Sequence, residues 1–160
     1  MYIKGRTVTF DNGLVIDFED NYDSLKNKIT DGEKLLILDE ALCVSFYSQE
    51  MVKGYREETT IFCDDEREEK VYEIELHFKT HAYAGKDFES YLEFADYNKK
   101  LFNELREYLL EQFGQEKVVG NSDHGFTIED GNLVLGLNTG RGFEHVNINI
   151  LLDDDPLLED

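Results

Sequence analysis

This chain lacks most of the features that stiffen or anchor a protein. Of 160 residues, one is proline, two are cysteine and none is tryptophan. The lone proline, Pro156, lies near the C-terminus. Strands and helices can therefore run through the rest without a ring that removes a backbone donor. Cys43 and Cys63 are far apart and show no CxxC spacing. A domain of this length buries roughly 68–70% of its unfolded surface, so it needs no covalent staple. Both cysteines read as reduced core thiols. Long apolar runs are missing too: Leu35–Leu38 is typical, and far too short to cross a bilayer. The first residues, Met1 to Thr7, carry no apolar signal-peptide core. Together these absences predict a cytoplasmic protein that does not bind membranes.

Basic side chains are also scarce. Lys and Arg number 16 against 36 Asp and Glu, a formal net charge of −20. The last forty residues hold Arg141 as their only basic side chain. Such a field repels nucleic acid and anionic lipid, and attracts cationic protein surfaces. No basic patch interleaves with the aromatics, so direct nucleic-acid binding is not expected. Acidic disordered chains are poor in aromatics, whereas this one has 9 Tyr and 11 Phe and is expected to fold.

What is present patterns as strands and two helices. Thr7–Phe10 and Leu14–Phe18 form a hairpin. Only a three-residue loop with Gly13 in the left-handed region puts Val8, Phe10, Leu14, Ile16 and Phe18 on one face. Asp20 or Asn21 caps a short helix at about 22–29, stopped by Asp31-Gly32. Leu35–Leu38 and Leu42–Tyr47 read as one kinked strand or two, and Gln49–Glu58 as a connection broken at Gly54. Thr59–Cys63 and Lys70–Thr80 form a strand pair. In the second of these, Tyr72, Ile74, Leu76 and Phe78 alternate with Glu73, Glu75, His77 and Lys79, which predicts one buried and one solvated face.

A long helix at about 87–113 follows, capped by Asp87, with Phe88, Leu92, Ala95, Phe102, Leu105, Leu109 and Phe113 as its apolar stripe. Phe126–Ile128 and Leu133–Leu137 pair through a tight turn at Asp130-Gly131, and Val146, Ile148 and Ile150 mark a last strand. The expected fold is α+β: about seven to nine mainly antiparallel strands, with both helices packed on the sheet. Residues 1–152 form one domain and 153–160 an acidic tail.

No catalytic motif stands out. His77 and His81 make an HxxxH, but on a strand residues four apart are separated by about 13 Å, too far to share an ion. Carboxylate pairs such as Glu57/Glu58 and Asp64/Asp65 follow from composition, and no EF-hand spacing is present. Residues 136–142, Gly-Leu-Asn-Thr-Gly-Arg-Gly, lack the Lys-Ser/Thr of a P-loop and read as a connection between strands, with Arg141 as a contact candidate. No cofactor, metal or catalytic residue is expected.

In size and charge the chain resembles small acidic inhibitor and immunity-type proteins, a resemblance that transfers no residues. The expected function is non-enzymatic binding to a basic protein surface. Its contact residues would be Asp64, Asp65, Glu66, Glu68 and Glu69 between two strands, with Glu73 and Glu75 extending the field. Two alternatives stand beside it: a small enzyme with a site around His124, Arg141 and His145, and a subunit that self-associates through exposed aromatics.

Overall fold

The first hairpin adopts the bulged geometry that its apolar pattern demands. Strands β2 (Thr7–Thr9) and β3 (Val15–Asp17) pair Val8 with Ile16, and the Phe10 N–H donates to the Leu14 carbonyl at 2.9 Å. Gly13, at φ +89°, takes the left-handed position. Val8, Phe10, Ile16 and Phe18 are buried; Leu14 is half-buried. A further strand, β1 (Tyr2–Lys4), pairs with β2 to complete a three-stranded sheet. The structure is a computed structural model and describes residues 1–29, 33–53, 55–78 and 90–153.

Helix α1 (Tyr22–Lys28) opens with a reciprocal capping box between Asn21 and Ser24 and ends at Ile29. The remaining strands are β4 (Glu33–Leu38), β5 (Cys43–Gln49), β6 (Arg56–Asp64), β7 (Lys70–His77), β8 (Val118–Asn121), β9 (Gly125–Asp130), β10 (Leu133–Thr139) and β11 (Val146–Leu152). They form one antiparallel sheet in the order β4-β5-β6-β7-β11-β10-β9-β8. The described residues thus hold eleven strands, two more than the upper expectation. The additions are β1 and β8, both too short to show a clear alternation. β4 and β5 are two strands, separated by a 3-10 turn at Asp39–Ala41 and by Leu42 in the left-handed region. The connection expected over Gln49–Glu58 is shorter than that, because β6 already begins at Arg56; Gly54 lies outside the described residues.

Two registers differ from the sequence reading. The turn between β9 and β10 has two residues, but they are Gly131 and Asn132: Asp130 pairs with Leu133, Ile128 with Leu135 and Phe126 with Leu137. Gly131, at φ +61°, holds the first central position. Moving a two-residue turn by one shifts the pairing by two, so the same side chains still face the core. On β7 the buried residue near the turn is Val71, and Tyr72 is only half-buried. A bulge is the reason: Phe62 pairs with Glu73 and Cys63 with Val71, leaving Tyr72 as the extra residue.

Helix α2 (Tyr91–Phe113) is capped by Ser90, whose hydroxyl accepts from the Glu93 N–H at 3.2 Å, and is stopped by Gly114 at φ +86°. Asp87 and Phe88 lie outside the described residues. The buried stripe runs Phe94, Asn98, Leu101, Phe102, Leu105, Leu109 and Phe113. Leu92 is 75% exposed, and Ala95 is half-buried at the margin. At 3.6 residues per turn, Leu92 points roughly a third of a turn away from the stripe's centre, where Asn98 falls. Asn98 is tolerated there because its side-chain amide donates to the Phe143 carbonyl at 2.7 Å.

The helices lie on one face of the large sheet, α1 against β5 and α2 against β10 and β11. The small sheet joins the same core. Asp11, in the β2–β3 loop, ties these layers together: the N-terminal amine, the Tyr108 hydroxyl of α2 and the Lys53 N–H all donate to it. Burial pushes the Asp11 carboxyl up, but these donors outweigh burial and leave it below the usual range.

Candidate functional site

The register assigns every side chain of the large sheet to one of two faces. Ile61, Ile74, Ile150, Leu135 and Ile128 form a continuous buried row across five strands. The residues between them point the other way, where no helix or strand of the described chain covers them, and they form three rows.

The first row is Phe62, Glu73, Leu151, Val134 and Glu129. The second is Ser45, Thr60, Glu75, Asn149, Gly136 and Thr127. The third is Tyr47, Glu58, His77, Asn147, Asn138 and Gly125. Apart from Glu75 and Asn149, the middle row is made of small residues, so it lies lower than its flanks. Ser45 and Thr60 share a hydroxyl hydrogen bond of 2.5 Å across it.

Three carboxylates lie together on adjacent strands: Glu58 on β6, Glu73 and Glu75 on β7. Among the described side chains of these rows there is no lysine or arginine. The Asn149 amide donates to Glu73 at 2.9 Å, and His77 Nε2 lies 3.3 Å from Glu75. The Asn147 carbonyl oxygen is buried and has no hydrogen-bond partner. Beside the carboxylates, the bulge places Tyr72 against Phe62 with ring centroids 6.2 Å apart. Burial, then the charges of Glu73 and Asp64, raise the Tyr72 phenol.

The acidic turn continues this field. Asp64 ends β6 and its carboxylate accepts from the Glu66 N–H at 3.0 Å. Asp65–Arg67 form a 3-10 turn, and Glu68 and Glu69 both sit at φ +59°. Two successive non-glycine residues in the left-handed region are strained, and they lie in the turn that joins β6 to β7. Asp65, Glu66, Glu68 and Glu69 are exposed. The turn is partly neutralised from within, since Lys70 lies 2.9 Å from Glu19 and 3.5 Å from Glu68.

Sequence pattern thus placed Glu73 and Glu75 outward, and the structure adds Glu58, Tyr47, Phe62, Tyr72, Asn147 and Asn149 to their surface. The signal for Glu58 was available: it is one residue out of phase with Thr59 and Ile61 on a strand whose buried face is clear. The β11 asparagines needed the β7–β11 pairing, which no local pattern reveals.

The second group of candidates converges only in part. His124 and His145 flank Thr139, which donates through its N–H to the His124 carbonyl at 3.0 Å and through its hydroxyl to the His145 carbonyl at 2.6 Å. The His124 ring lies 5.1 Å from that of Phe143, itself at φ +54°. Glu144 folds back on its own loop. Its own backbone N–H and that of Gly142, 2.9 Å away, donate to its carboxylate. Its own backbone donor foremost, then that of Gly142 and the two histidines nearby, hold its carboxyl below the usual range against the opposing effect of burial. No hydrogen bond or ion pair joins any two of the side chains of His124, Arg141, Glu144 and His145 among the described contacts, and Arg141 is exposed. Gly136 belongs to β10, so the glycine-rich connection is confined to 140–145. His81 lies outside the described residues. Among the described residues, no group of three or more His, Cys, Asp or Glu is placed to hold a metal ion, and no helix is long and apolar enough to cross a membrane.

Cys43 and Cys63 are free and buried, and burial raises both thiols, that of Cys63 to about 12. Neither is poised as a nucleophile. No family model, curated protein or solved structure matches this chain. Function is therefore argued from the residues alone.

Proposed function

We propose that this protein acts by stoichiometric binding to a basic protein surface, in the manner of an inhibitor or an immunity protein. The uncovered face of the large sheet and the adjoining acidic turn form the contact. One observation carries the reading: the face that no described helix or strand covers groups Glu58, Glu73 and Glu75 on neighbouring strands, against a turn that adds Asp64, Asp65, Glu66, Glu68 and Glu69. A net charge of −20 steers a cationic partner toward the molecule, and the clustered carboxylates set the association rate. Phe62, Tyr72 and Leu151 supply the apolar contact that turns a steered encounter into a lasting one. The partner's lysines and arginines would meet Glu73 and Glu75, whose neighbours among the described contacts are the Asn149 amide and His77.

The test compares wild type with a Glu73→Lys/Glu75→Lys double variant as baits in native lysate at low and high salt, followed by stopped-flow association with the captured protein. The expected result is one basic protein held by wild type at low salt and released at high salt. The double variant should associate at least tenfold more slowly, with a flatter salt dependence. Equal rates and equal salt slopes for the two baits would show that the acidity of this face serves only solubility.

A further inference from the structure

One carboxylate of β6 lies on the opposite side of the large sheet from Glu58, Glu73 and Glu75. Glu57 is 0% exposed, and neither of its carboxylate oxygens has a hydrogen-bond partner. It occupies an inward position of β6, paired with Ser48 on β5 and one inward step from Thr59, whose hydroxyl donates to the Met51 sulfur at 3.4 Å. An ionised carboxylate without a donor is not tolerated in such a place, so the group is held as the neutral acid. Burial alone pushes its pKa up, to about 8. No neighbouring charge contributes to that shift.

The cover over this end of the inner face is the connection between β5 and β6, residues 50–53 and Tyr55. It is a strap. Its own Met51 and Val52 side chains are fully buried. It is fastened at a few points: the Met51 carbonyl accepts from the Asp11 N–H at 2.8 Å, the Lys53 N–H donates to the Asp11 carboxylate at 2.8 Å, and the Tyr55 hydroxyl donates to Glu104 of α2. The Tyr55 ring stands edge-on to Phe78, which the β6–β7 register places beside Glu57. Glu50 and Lys53 are both in the left-handed region, at φ +65° and +53°, so the closed strap is strained. Among the described residues the ionisable groups around it are Glu50, Lys53 and Tyr55 on the strap, Asp11 and the N-terminal amine from the small sheet, and Tyr97, Glu104 and Tyr108 from α2. None of them reaches the Glu57 carboxyl.

We propose that Glu57 is a proton-operated latch: as the neutral acid it lets the strap close over the inner face, and on ionisation it draws in water and releases the strap. Among the described residues beside Glu57, Ser48 and Thr59 belong to hydrogen-bonded strands and the Phe78 N–H donates to the Val146 carbonyl, so the strap is the segment that yields first. Opening would expose Met51 and Val52 and free Asp11 and Glu104 from their strap contacts.

The chain has two methionines, so the Met51 methyl group is readily assigned by NMR. The experiment follows that methyl and the exchange of the Met51–Lys53 amides, corrected for intrinsic rate, from about pH 6 to about pH 10. Wild type should show a transition in the methyl shift near pH 8 and at least tenfold faster corrected exchange above it. Glu57→Gln should abolish both, and Glu57→Met, which cannot ionise and fills the same space, should do the same should the amide be poorly accommodated. A flat methyl signal in wild type would overturn the latch, as would an unchanged transition in Glu57→Met. A direct 13C titration showing Glu57 ionised at about pH 6 while the strap stays protected would overturn it as well.

Discussion

Glu57 and Glu58 are neighbours in the chain and opposites in the fold. Both belong to β6, yet one points into the covered face of the large sheet and the other into the uncovered face. The same side chain is a buried, partnerless acid on one side and a half-buried, outward-facing group on the other. The difference is a single step of strand alternation, and it shows what the covering layer does. Where α1, α2 and the small sheet lie over the strands, each polar group needs a named partner or gives up its charge. Thr59 and Thr139 have partners there and the Asn98 amide nitrogen has one, although its side-chain oxygen has none; neither carboxylate oxygen of Glu57 has any. On the uncovered side, charge can accumulate at little cost.

The sharpest way to break this contrast is to remove a packing side chain from the covering layer. Leu105, fully buried in the middle of the α2 stripe, should cost ~2–5 kcal/mol when changed to alanine, measured by urea unfolding. A loss near zero would mean that α2 does not depend on the sheet.

The second test concerns pH. The Glu57 carboxyl is raised from 4.5 to about 8 in the folded protein, whereas in the unfolded chain it has its ordinary value. Between those two values the native state keeps a proton that the unfolded state has lost, so Glu57 lowers stability as pH rises through this window and adds nothing further above it. Glu57→Leu should therefore be close to wild type at about pH 5 and more stable by ~2–4 kcal/mol at about pH 9. A gap that shrinks with rising pH would reverse the assignment.

Asn98 tests whether a polar residue inside the covered layer is structural. Asn98→Ala leaves the Phe143 carbonyl without its donor and should cost ~1–3 kcal/mol by thermal or urea unfolding. The smallest effects belong to the uncovered surfaces. Leu92→Ala on the outer side of α2 and Glu75→Gln on the open sheet face should each change stability by less than ~0.5 kcal/mol, although Glu75→Gln should still slow association with a basic partner. A larger loss of stability at Glu75 would mean that its contact with His77 helps to hold the sheet.

The comparison also marks where local pattern is a sufficient guide. Alternation along β7 and β11 and the Asn-Gly hairpin near the N-terminus identify the buried face because a one-residue slip would expose a whole apolar set. That constraint acts within a few residues. The Leu105–Leu109–Phe113 part of the α2 stripe is legible for the same reason, since three- and four-residue spacing repeats without a break. The reading fails where the neighbour that decides the outcome is remote. Leu92 looked like core because it is apolar, but the phase of α2 is fixed by the sheet beneath it. Asn98 is polar at the centre of the buried stripe, and Phe143, 45 residues away, supplies the acceptor for its amide. Tyr72 looked buried until the bulge opposite Phe62 and Cys63 shifted the phase of β7.

The sequence by itself determined that this chain folds as an antiparallel sheet with two helices, that its surface is anionic, and that Glu73 and Glu75 point away from the core. Each of these depends on composition or on periods of two and 3.6 residues, which act within one element. Only the tertiary structure decided which face of the sheet is covered, which carboxylates share the open face, that His124 and Glu144 approach without bonding, and that Glu57 is sealed beneath a strap. These depend on the pairing of strands far apart in the chain and on the few contacts, at Asp11 and Glu104, that fold one layer over another.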